Sequence, residues 1–250
     1  MTAAPPPGPP DRRAGSRDHA QRVLAALLED RPDLHGAGAA ANWQLGPGLL
    51  GWLVGEVPLG GRTLETGCGY STIVLGLVSD HHVAVSPVPA EHDRIRRWCA
   101  THDVALDAVE LVEAASEVHL PAATAAGRLA PGSLDMVLVD GDHAFPVPAL
   151  DWYHTAPLLK VGGLMVLDDT QIRAVAEVAA FLRQDPARWR LRHRVDDAAV
   201  FEKRVPDVAA HGRWRDQPWN GEVWSFERQA RQLRSQVRLR TRWRHLRGGG

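Results

Sequence analysis

From Arg62 onward, the apolar residues of this chain follow two patterns that alternate along the sequence. Short apolar runs such as Leu134–Val139 have the length of a buried strand. The stretches between these runs carry apolar residues at the three- and four-residue spacing of a helix. Strands that alternate with helices form a parallel sheet with helices on both of its faces. The pattern therefore predicts an α/β fold.

The predicted elements can be read off in order. The strands are Thr63–Thr66, His82–Ser86, Val109–Val112, Leu134–Asp140, Leu164–Leu167, Trp189–Val195 and Ala198–Lys203. The helices between them are Ser71–Val78, Pro89–Thr101, Ser116–Gly127, Val147–Leu159 and Thr170–Gln184. The tetrapeptide Lys160-Val161-Gly162-Gly163 is predicted to be a turn. The last two strands are expected to form a hairpin through Asp196-Asp197.

Two helices and a leader are predicted ahead of the sheet. Asp18 is expected to cap the first helix, whose apolar face begins at Val23. The second helix falls within Leu49–Val57. Met1–Arg17 is rich in Pro, Ala, Gly and Arg and has no apolar periodicity, which predicts a disordered leader. A single domain is then expected over residues 18–205.

The end of the chain, from Pro206 to Gly250, differs in composition. It is rich in Trp and Arg, and Phe226–Arg247 has a basic, helical pattern. Lys203–Gly250 holds twelve basic and four acidic residues, although the net charge of the whole chain is only −1. The preferred interpretation is an arm that packs on the domain or on a second subunit of a homo-oligomer. Binding to nucleic acid, to anionic lipid or to another partner is the alternative.

The composition of the chain indicates the cellular compartment in which the protein is expected. The apolar runs are too short to span a membrane. Met1 is followed by prolines and not by the basic and apolar regions of a signal peptide. Two cysteines, Cys68 and Cys99, provide neither a disulfide framework nor a zinc site. A cytoplasmic protein is therefore expected.

The first candidate site is the turn after the first strand, Glu65-Thr66-Gly67-Cys68-Gly69. Two glycines one residue apart let the backbone turn tightly and approach a ligand, which the N-terminus of the next helix can also contact. A dinucleotide-binding motif would have a third glycine where Thr72 stands, so that reading is disfavoured. An acid before the glycines suits S-adenosylmethionine. The expected cofactor contacts are Glu65, Gly67, Cys68, Gly69 and Ser71; the alternative is a structural tight turn.

The second candidate site consists of polar residues that follow two apolar strands. Asp140, Asp142 and His143 follow one strand, and Asp168-Asp169 follows the other. If the strands are neighbours, Asp140, Asp168 and Asp169 converge at one edge of the sheet. Three close carboxylates require protonation or a cation, and oxygen ligands favour Mg²⁺, Ca²⁺ or Mn²⁺. His143 is a candidate general base. The alternative, preferred for Asp142, is that these acids are helix caps and loop residues.

These motifs, in this order and separation, resemble those of class I S-adenosylmethionine-dependent methyltransferases. Within that class, residues Leu64–Thr170 are similar to methyltransferase family 24, which is related to macrocin O-methyltransferase and cephalosporin-hydroxylase-type proteins. The resemblance implies a Rossmann-like three-layer sandwich with a mostly parallel seven-stranded sheet, N-terminal helices and a C-terminal basic helical tail. It implies S-adenosylmethionine over the first strands and substrate over the fourth and fifth. It also implies that Asp140, Asp168 and Asp169 bind a divalent metal such as Mg²⁺, that His143 is the catalytic base, and that Asp140 lies beside the cofactor.

One position departs from the family pattern. The second strand usually ends in an acid that binds both ribose hydroxyls, and here Ser86 takes that place. A serine makes one modest hydrogen bond where a carboxylate accepts two strong ones. Weaker cofactor affinity, or compensation by Glu91 or a backbone group, is expected. Ser116, after the third strand, is placed near the adenine edge.

Three functions follow from these observations. The first is metal-assisted O-methylation of a small hydroxylated molecule, such as a sugar or natural product. The second is a non-catalytic scaffold or binding protein that retained the fold, which Ser86 supports. The third is methylation of nucleic acid through the basic tail. The third is disfavoured because the chain lacks both an Asn/Asp-Pro-Pro-Tyr/Phe element and a Pro-Cys nucleophile motif.

Overall fold

The structure is a computed structural model that describes residues 12–36, 44–206 and 217–221. The chain divides into two compact units, Met1–Ala209 and Ala210–Gly250. In the second unit the described element is one short helix, and the predicted helix Phe226–Arg247 lies outside the described residues. Among the helices that are described, none is both long and apolar enough to cross a membrane.

The first unit contains seven strands and seven α-helices among its described residues. The strands are β1 (Gly61–Thr66), β2 (Ser79–Ser86), β3 (Val109–Glu113), β4 (Leu134–Val139), β5 (Leu159–Leu167), β6 (Trp189–Val195) and β7 (Ala198–Lys203). The helices are α1 (Arg12–Asp30), α2 (Pro47–Glu56), α3 (Tyr70–Val78), α4 (Pro89–Thr101), α5 (Ser116–Ala125), α6 (Val147–Thr155) and α7 (Arg173–Gln184). The short helix of the second unit is α8 (Pro218–Gly221).

The strands form one sheet in the order β3-β2-β1-β4-β5-β7-β6. The first five strands are parallel, and β7 runs antiparallel to both β5 and β6. From β1 the chain builds outward first to β2 and then, on the other side, to β4. The carboxyl ends of β1 and β4 are therefore neighbours at the switch point where open sheets of this kind bind ligands.

Helices cover both faces of the sheet, which explains why the central strands are apolar on both sides. One face packs against α1 to α4, with alternate strand residues such as Met136 and Leu138 pointing into that layer. The other face packs against α5 and α7, with Val137 and Val139 pointing the opposite way. The Rossmann-like three-layer sandwich with a mostly parallel seven-stranded sheet is confirmed.

Several predicted boundaries differ from the structure; β2, for example, begins at Ser79, three residues before the predicted His82. Helix α1 begins at Arg12, so Asp18 lies inside the helix and does not cap it. Helix α6 ends at Thr155 and passes into a 3₁₀ turn, because Pro157 has no N–H with which to continue an α-helix. Helix α7 begins at Arg173, three residues after the predicted Thr170. A further difference concerns β5.

The predicted turn Lys160–Gly163 lies inside β5. The pairing between β4 and β5 passes from Leu134–Leu159 to Met136–Leu164, so the extra residues form a bulge. Gly162 has φ +84° in this bulge. The ammonium of Lys203 is fully buried and donates to the carbonyls of Ala156 (2.9 Å) and Leu159 (2.6 Å), which anchors β7 at the start of β5.

The turn between β6 and β7 contacts two other parts of the fold. The N–H of Leu49, in the first turn of α2, donates to the carboxylate of Asp196 (2.8 Å). Both the N–H and the hydroxyl of Thr170, after β5, donate to the carbonyl of Asp197 (2.9 and 2.7 Å). The hairpin therefore fixes both the start of α2 and the loop that follows β5.

Candidate functional site

The turn after β1 requires glycine at position 67. Gly67 has φ +96°, a conformation that other residues rarely adopt. A Cβ atom at this position would lie 2.2 Å from the carbonyl oxygen of Asp140. The N–H of Gly67 donates to the carbonyl of Val85 (2.8 Å), so the turn is fixed between β2 and the end of β4. The predicted close approach of the backbone at this edge is therefore present.

The rest of the turn leads into the buried N-terminus of α3. The N–H of Gly69 donates to the hydroxyl of Thr72 (2.9 Å), and Ser71 is buried in the first helical turn. Thr72 thus stabilises the start of α3. It stands at the position where a dinucleotide-binding motif would have its third glycine. The positive end of the α3 dipole is directed to the same edge of the sheet as Gly67.

Glu65 lies behind the turn and is 1% exposed. Its carboxylate accepts a hydrogen bond from the hydroxyl of Thr72 and lies 3.1 Å from Nε2 of His82. Nδ1 of His82 lies 2.8 Å from the hydroxyl of Thr63. Both contacts are satisfied when Nε2 of His82 donates to Glu65 and Nδ1 accepts from the hydroxyl of Thr63. This buried network ties β1, β2 and α3 together.

A second carboxylate, that of Glu91 in the first turn of α4, lies beside the end of β2. Its Oε2 accepts hydrogen bonds from the hydroxyl of Ser86 (2.9 Å) and the thiol of Cys68 (3.4 Å). Its Oε1 lies 2.9 Å from Nδ1 of His35, a residue of the loop after α1. Burial alone would raise the pKa of Glu91, but the hydrogen bonds from His35 and Ser86 lower it below its usual value. Glu91 is therefore a buried, ionised acid beside the glycine turn.

The thiol of Cys68 is unreactive in this setting. Burial and the neighbouring Glu91 carboxylate raise its pKa far above the usual value. The thiolate that nucleophilic chemistry would need is therefore strongly disfavoured. Cys68 packs in the turn and donates a weak hydrogen bond to Glu91.

At the ends of β4 and β5 the structure brings together Asp140, His143 and Asp169. Each offers one ligand atom, and these atoms all lie within 4.8 Å of one another. Nε2 of His143 lies 3.8 Å from Oδ1 of Asp140, and Nδ1 lies 3.6 Å from Oδ2 of Asp169. Among the described residues, Nε2 of His143 is buried without a hydrogen-bond partner. Burial and the neighbouring Asp168, Glu65 and Asp169 carboxylates raise the pKa of Asp140 well above its usual value.

Of the Asp168-Asp169 pair, one residue belongs to this compact group and the other does not. Asp168 is 8% exposed and lies outside the compact group. Burial and the adjacent Asp169 raise the pKa of Asp168 to about 6. Asp169 has φ +53°, a left-handed conformation, and its Oδ1 accepts a hydrogen bond from the side chain of Gln171 (2.6 Å). This backbone turn places the Asp169 carboxylate beside His143.

Asp142 has a local structural role. Its carboxylate accepts a hydrogen bond from the N–H of Ala144 (2.8 Å), which is an Asx turn. The loop role preferred for Asp142 from the sequence matches this contact.

Asp151 is a buried acid that the sequence analysis did not single out. It is 0% exposed, on the inward face of α6, and burial raises its pKa to about 6. Neither carboxylate oxygen forms a hydrogen bond within the described residues. Its buried helical neighbours Pro148 and Thr155 mark an inward face, and an acid on that face was the available signal. His35, also missed, stands in no periodic or motif pattern.

The comparison with protein families gives one match. Residues 64–170 match the family model of methyltransferase family 24, described as a methyltransferase domain. This range contains the glycine turn, the Asp140–His143 segment and the Asp168-Asp169 pair. No curated protein sequence matches the chain.

Solved structures share the fold. A methyltransferase from Podospora anserina with bound S-adenosylhomocysteine is 16% identical, with a TM-score of 0.55, and the match covers 82% of this chain and 100% of that one. A methyltransferase from Geobacter sulfurreducens is 14% identical, with a TM-score of 0.50 and coverage of 80% and 91%. A protein from Corynebacterium glutamicum is 14% identical, with a TM-score of 0.50 and coverage of 78% and 92%. At these identities the likeness concerns the fold. The family match identifies residues 64–170 as a methyltransferase domain, and the fold around it is the one shared with the S-adenosylhomocysteine-bound methyltransferase.

Proposed function

We propose that this enzyme transfers the methyl group of S-adenosylmethionine to the hydroxyl oxygen of a small molecule, such as a sugar or natural product, with the help of a divalent metal. The observation that carries the proposal is the group formed by Asp140, His143 and Asp169. This group lies next to the glycine turn, since Asp140 contacts the Gly67 position directly. A proton acceptor and a cation-binding acid pair are thus close to the proposed methyl donor.

The cofactor is proposed to lie over the turn between β1 and α3. The tight backbone at Gly67, Cys68 and Gly69 and the first turn of α3 with Ser71 offer N–H donors and a positive dipole to the methionine carboxylate. Glu65 would hold this backbone in place from behind, because its carboxylate is engaged by Thr72 and His82. Ser86 and Ser116 lie farther along the edge, at the proposed ribose and adenine ends.

The donor set at Asp140 fits a divalent cation. The carboxylates of Asp140 and Asp169 offer oxygen atoms within 4.8 Å of each other, close enough to share one ion. Burial and the neighbouring carboxylates raise the pKa of Asp140, and a bound cation would offset this negative charge. Carboxylate ligands suit Mg²⁺ or Mn²⁺. Asp140 and Asp169 are the proposed ligands, and Asp168 is a proposed third ligand outside the compact group. When bound, the cation supplies positive charge that favours the ionised acceptor hydroxyl.

His143 is proposed as the general base. Its Nε2 is buried and has no hydrogen-bond partner among the described residues, so no described group competes with the acceptor proton for it. Nδ1 faces Asp169, whose negative charge would stabilise the imidazolium that forms. Nε2 would accept the proton of the acceptor hydroxyl, and the bound donor would supply the methyl group to the oxygen and leave as S-adenosylhomocysteine.

The cellular location and the partners of the enzyme are proposed from fewer observations. Cys68 and Cys99 are both free and buried, which supports a cytoplasmic location. A homo-oligomer formed through the C-terminal arm stays a proposal, because most of residues 206–250 lie outside the described residues. Nucleic acid is not proposed as a partner.

Titration calorimetry tests the cofactor half of the proposal. S-adenosylmethionine and S-adenosylhomocysteine are each titrated with and without Mg²⁺, and both are expected to bind. Absence of binding would overturn the function. For the metal half, a panel of small hydroxylated acceptors is assayed with the donor before and after chelation. Turnover that survives complete chelation would remove the metal from the proposal and leave the methyl transfer standing.

A further inference from the structure

The end of β2 lacks the acid that this fold places there. In open sheets that bind nucleotides, an acid about 20 residues after the glycine turn receives the ribose hydroxyls. Ser86 holds this position and cannot replace a carboxylate that accepts two hydrogen bonds. Its hydroxyl instead donates to Glu91, five residues along the chain and in the first turn of α4. The acid missing from β2 is therefore supplied in space from the next helix.

The contacts of Glu91 place its carboxylate at the rim of the glycine turn. Cys68, inside the turn, lies 3.4 Å from Oε2. His35 lies 2.9 Å from Oε1, and its Nε2 is 3.5 Å from the position that a Cβ on Gly69 would occupy. Glu91, the turn and the loop after α1 thus meet at one point. A ligand seated on the turn would extend toward this carboxylate.

The environment of Glu91 suits neutral hydroxyl donors. Within residues 12–36, 44–206 and 217–221, no lysine or arginine forms an ion pair with Glu91, and its one ion-pair partner there is His35. A carboxylate has about four acceptor positions, and the three donors of this cluster include the weak thiol of Cys68. Displacement of that thiol leaves both oxygens able to accept a hydroxyl. Two adjacent hydroxyls on a ribose ring match this arrangement.

We propose that Glu91, and not the residue at the end of β2, accepts the ribose hydroxyls of the bound cofactor, and that Ser86 is a positioning residue that orients the Glu91 carboxylate. The inference rests on the proposed binding of S-adenosylmethionine at the Gly67 turn. It assigns recognition of the ribose to Glu91, a residue of α4 whose carboxylate is oriented by the hydroxyl of Ser86.

The test compares cofactor analogues that differ only in the ribose. S-adenosylhomocysteine and its 2′-deoxy and 3′-deoxy analogues are titrated into the full chain by calorimetry. The wild-type protein should bind the deoxy analogues roughly tenfold more weakly, the effect of losing a charge-assisted hydrogen bond. Glu91→Gln should bind S-adenosylhomocysteine roughly tenfold more weakly and should bind all three ligands with similar affinity. Ser86→Ala should reduce the discrimination in part.

Asp93→Asn is the matched control. Asp93 lies in the same part of α4, is exposed and pairs with Arg96, so the variant removes one carboxylate charge without touching the cluster. It should keep the wild-type affinities and discrimination. If Glu91→Gln fails to fold, Glu91→Asp, which keeps the charge but draws the carboxylate back, should show the reduced discrimination.

The outcomes separate this inference from the function beneath it. Wild-type discrimination in Glu91→Gln, or in Glu91→Asp where the first variant does not fold, would overturn the role of Glu91. Failure of the wild-type protein to bind S-adenosylhomocysteine at all would overturn the proposed cofactor site itself.

Discussion

The carbonyl oxygen of Asp140 lies 2.2 Å from the place that a Cβ atom on Gly67 would occupy. The two candidate sites of the chain, one after β1 and one after β4, are therefore in direct contact. Any side chain at position 67 must displace the start of the Asp140–His143 segment. The proposed cofactor turn and the proposed acceptor site share this backbone contact.

Replacement of Gly67 by alanine is the first prediction. The clash with Asp140 and the strain at φ +96° should lower the free energy of unfolding by about 2–3 kcal/mol and should abolish binding of S-adenosylhomocysteine. Chemical denaturation and calorimetry measure the two effects. Gly51→Ala is the control, because a Cβ at Gly51 in α2 meets nothing within 4 Å, and it should raise stability by up to about 1 kcal/mol. Unchanged affinity in Gly67→Ala would contradict the placement of the cofactor.

An acid placed at position 86 should weaken cofactor binding. The hydroxyl of Ser86 is 2.9 Å from Oε2 of Glu91, so Ser86→Asp brings two carboxylates together and one must move or take up a proton. Calorimetry at pH 8 should show roughly tenfold lower affinity for S-adenosylhomocysteine, a loss of about 1.4 kcal/mol. Ser86→Asn, of the same shape but without the charge, should lose less. Tighter binding in Ser86→Asp would mean that the ribose end lacks an acid.

The proposed cation site predicts a loss of metal affinity in Asp169→Asn. Removal of one of the three proposed carboxylate ligands should reduce Mn²⁺ binding, measured by calorimetry, by tenfold or more, roughly the effect of losing one ligand-supporting group. Asp142→Asn is the control because Asp142 only caps a local turn, and its Mn²⁺ affinity should match that of the wild type. Equal Mn²⁺ affinity in the two variants would argue against the site.

His143→Ala should separate turnover from cofactor binding. The variant loses the proposed proton acceptor, so its turnover with an active acceptor should fall by roughly 10²–10⁴. Its affinity for S-adenosylhomocysteine should stay unchanged, because His143 belongs to the acceptor side. Turnover within a few fold of the wild type would show that another group takes the proton.

The raised pKa of Asp151 predicts that the stability of the folded protein decreases as pH rises. Its pKa is raised to about 6 in the folded protein, so the folded state holds this proton more tightly than the unfolded chain does. The resulting stability is fully present below about pH 4 and is lost as pH rises through about 6, in total about 3 kcal/mol. Asp151→Asn should therefore raise the thermal midpoint at pH 8 relative to the wild type and change it little at pH 4. Asp140 and Asp168 add a similar trend, so the comparison is made against the wild type at each pH. A variant less stable than the wild type at pH 8 would contradict this reading of Asp151.

The parts of the fold that sequence reasoning predicted well are those decided by local chemistry. Strand β4 is recognisable because a central strand covered on both faces must be apolar at every inward position, and Gly67 because a tight turn follows a strand. The order of motifs then placed Asp140 and Asp169 near one edge. These features depend on few residues that are close in sequence.

The contacts that the sequence did not reveal join residues far apart along the chain. Glu65 pairs with His82 across 17 positions, and Glu91 pairs with His35 across 56. Lys160–Gly163 carried the composition of a turn, but pairing with β4 made it a bulge within a strand. No periodicity records such partners, because they arise from packing of separate elements. The sequence offered Glu91 as a compensating acid, but its contacts with Ser86, Cys68 and His35 emerged only from the three-dimensional arrangement.

The turn at Asp196-Asp197 bears on how this protein can be divided for experiments. It holds the first turn of α2 through Leu49 and the loop after β5 through Thr170, so the acidic edge depends on chain segments on both sides of residues 64–170. A protein fragment limited to that range would lack β7, so the edge of β5 would be unpaired and prone to aggregation. The loop that carries Asp169 would also lose its contacts with the hairpin. The range that matches the methyltransferase family is therefore shorter than the range whose contacts hold the acidic edge together. Expression of the catalytic part alone should therefore begin no later than Arg12 and end no earlier than Lys203.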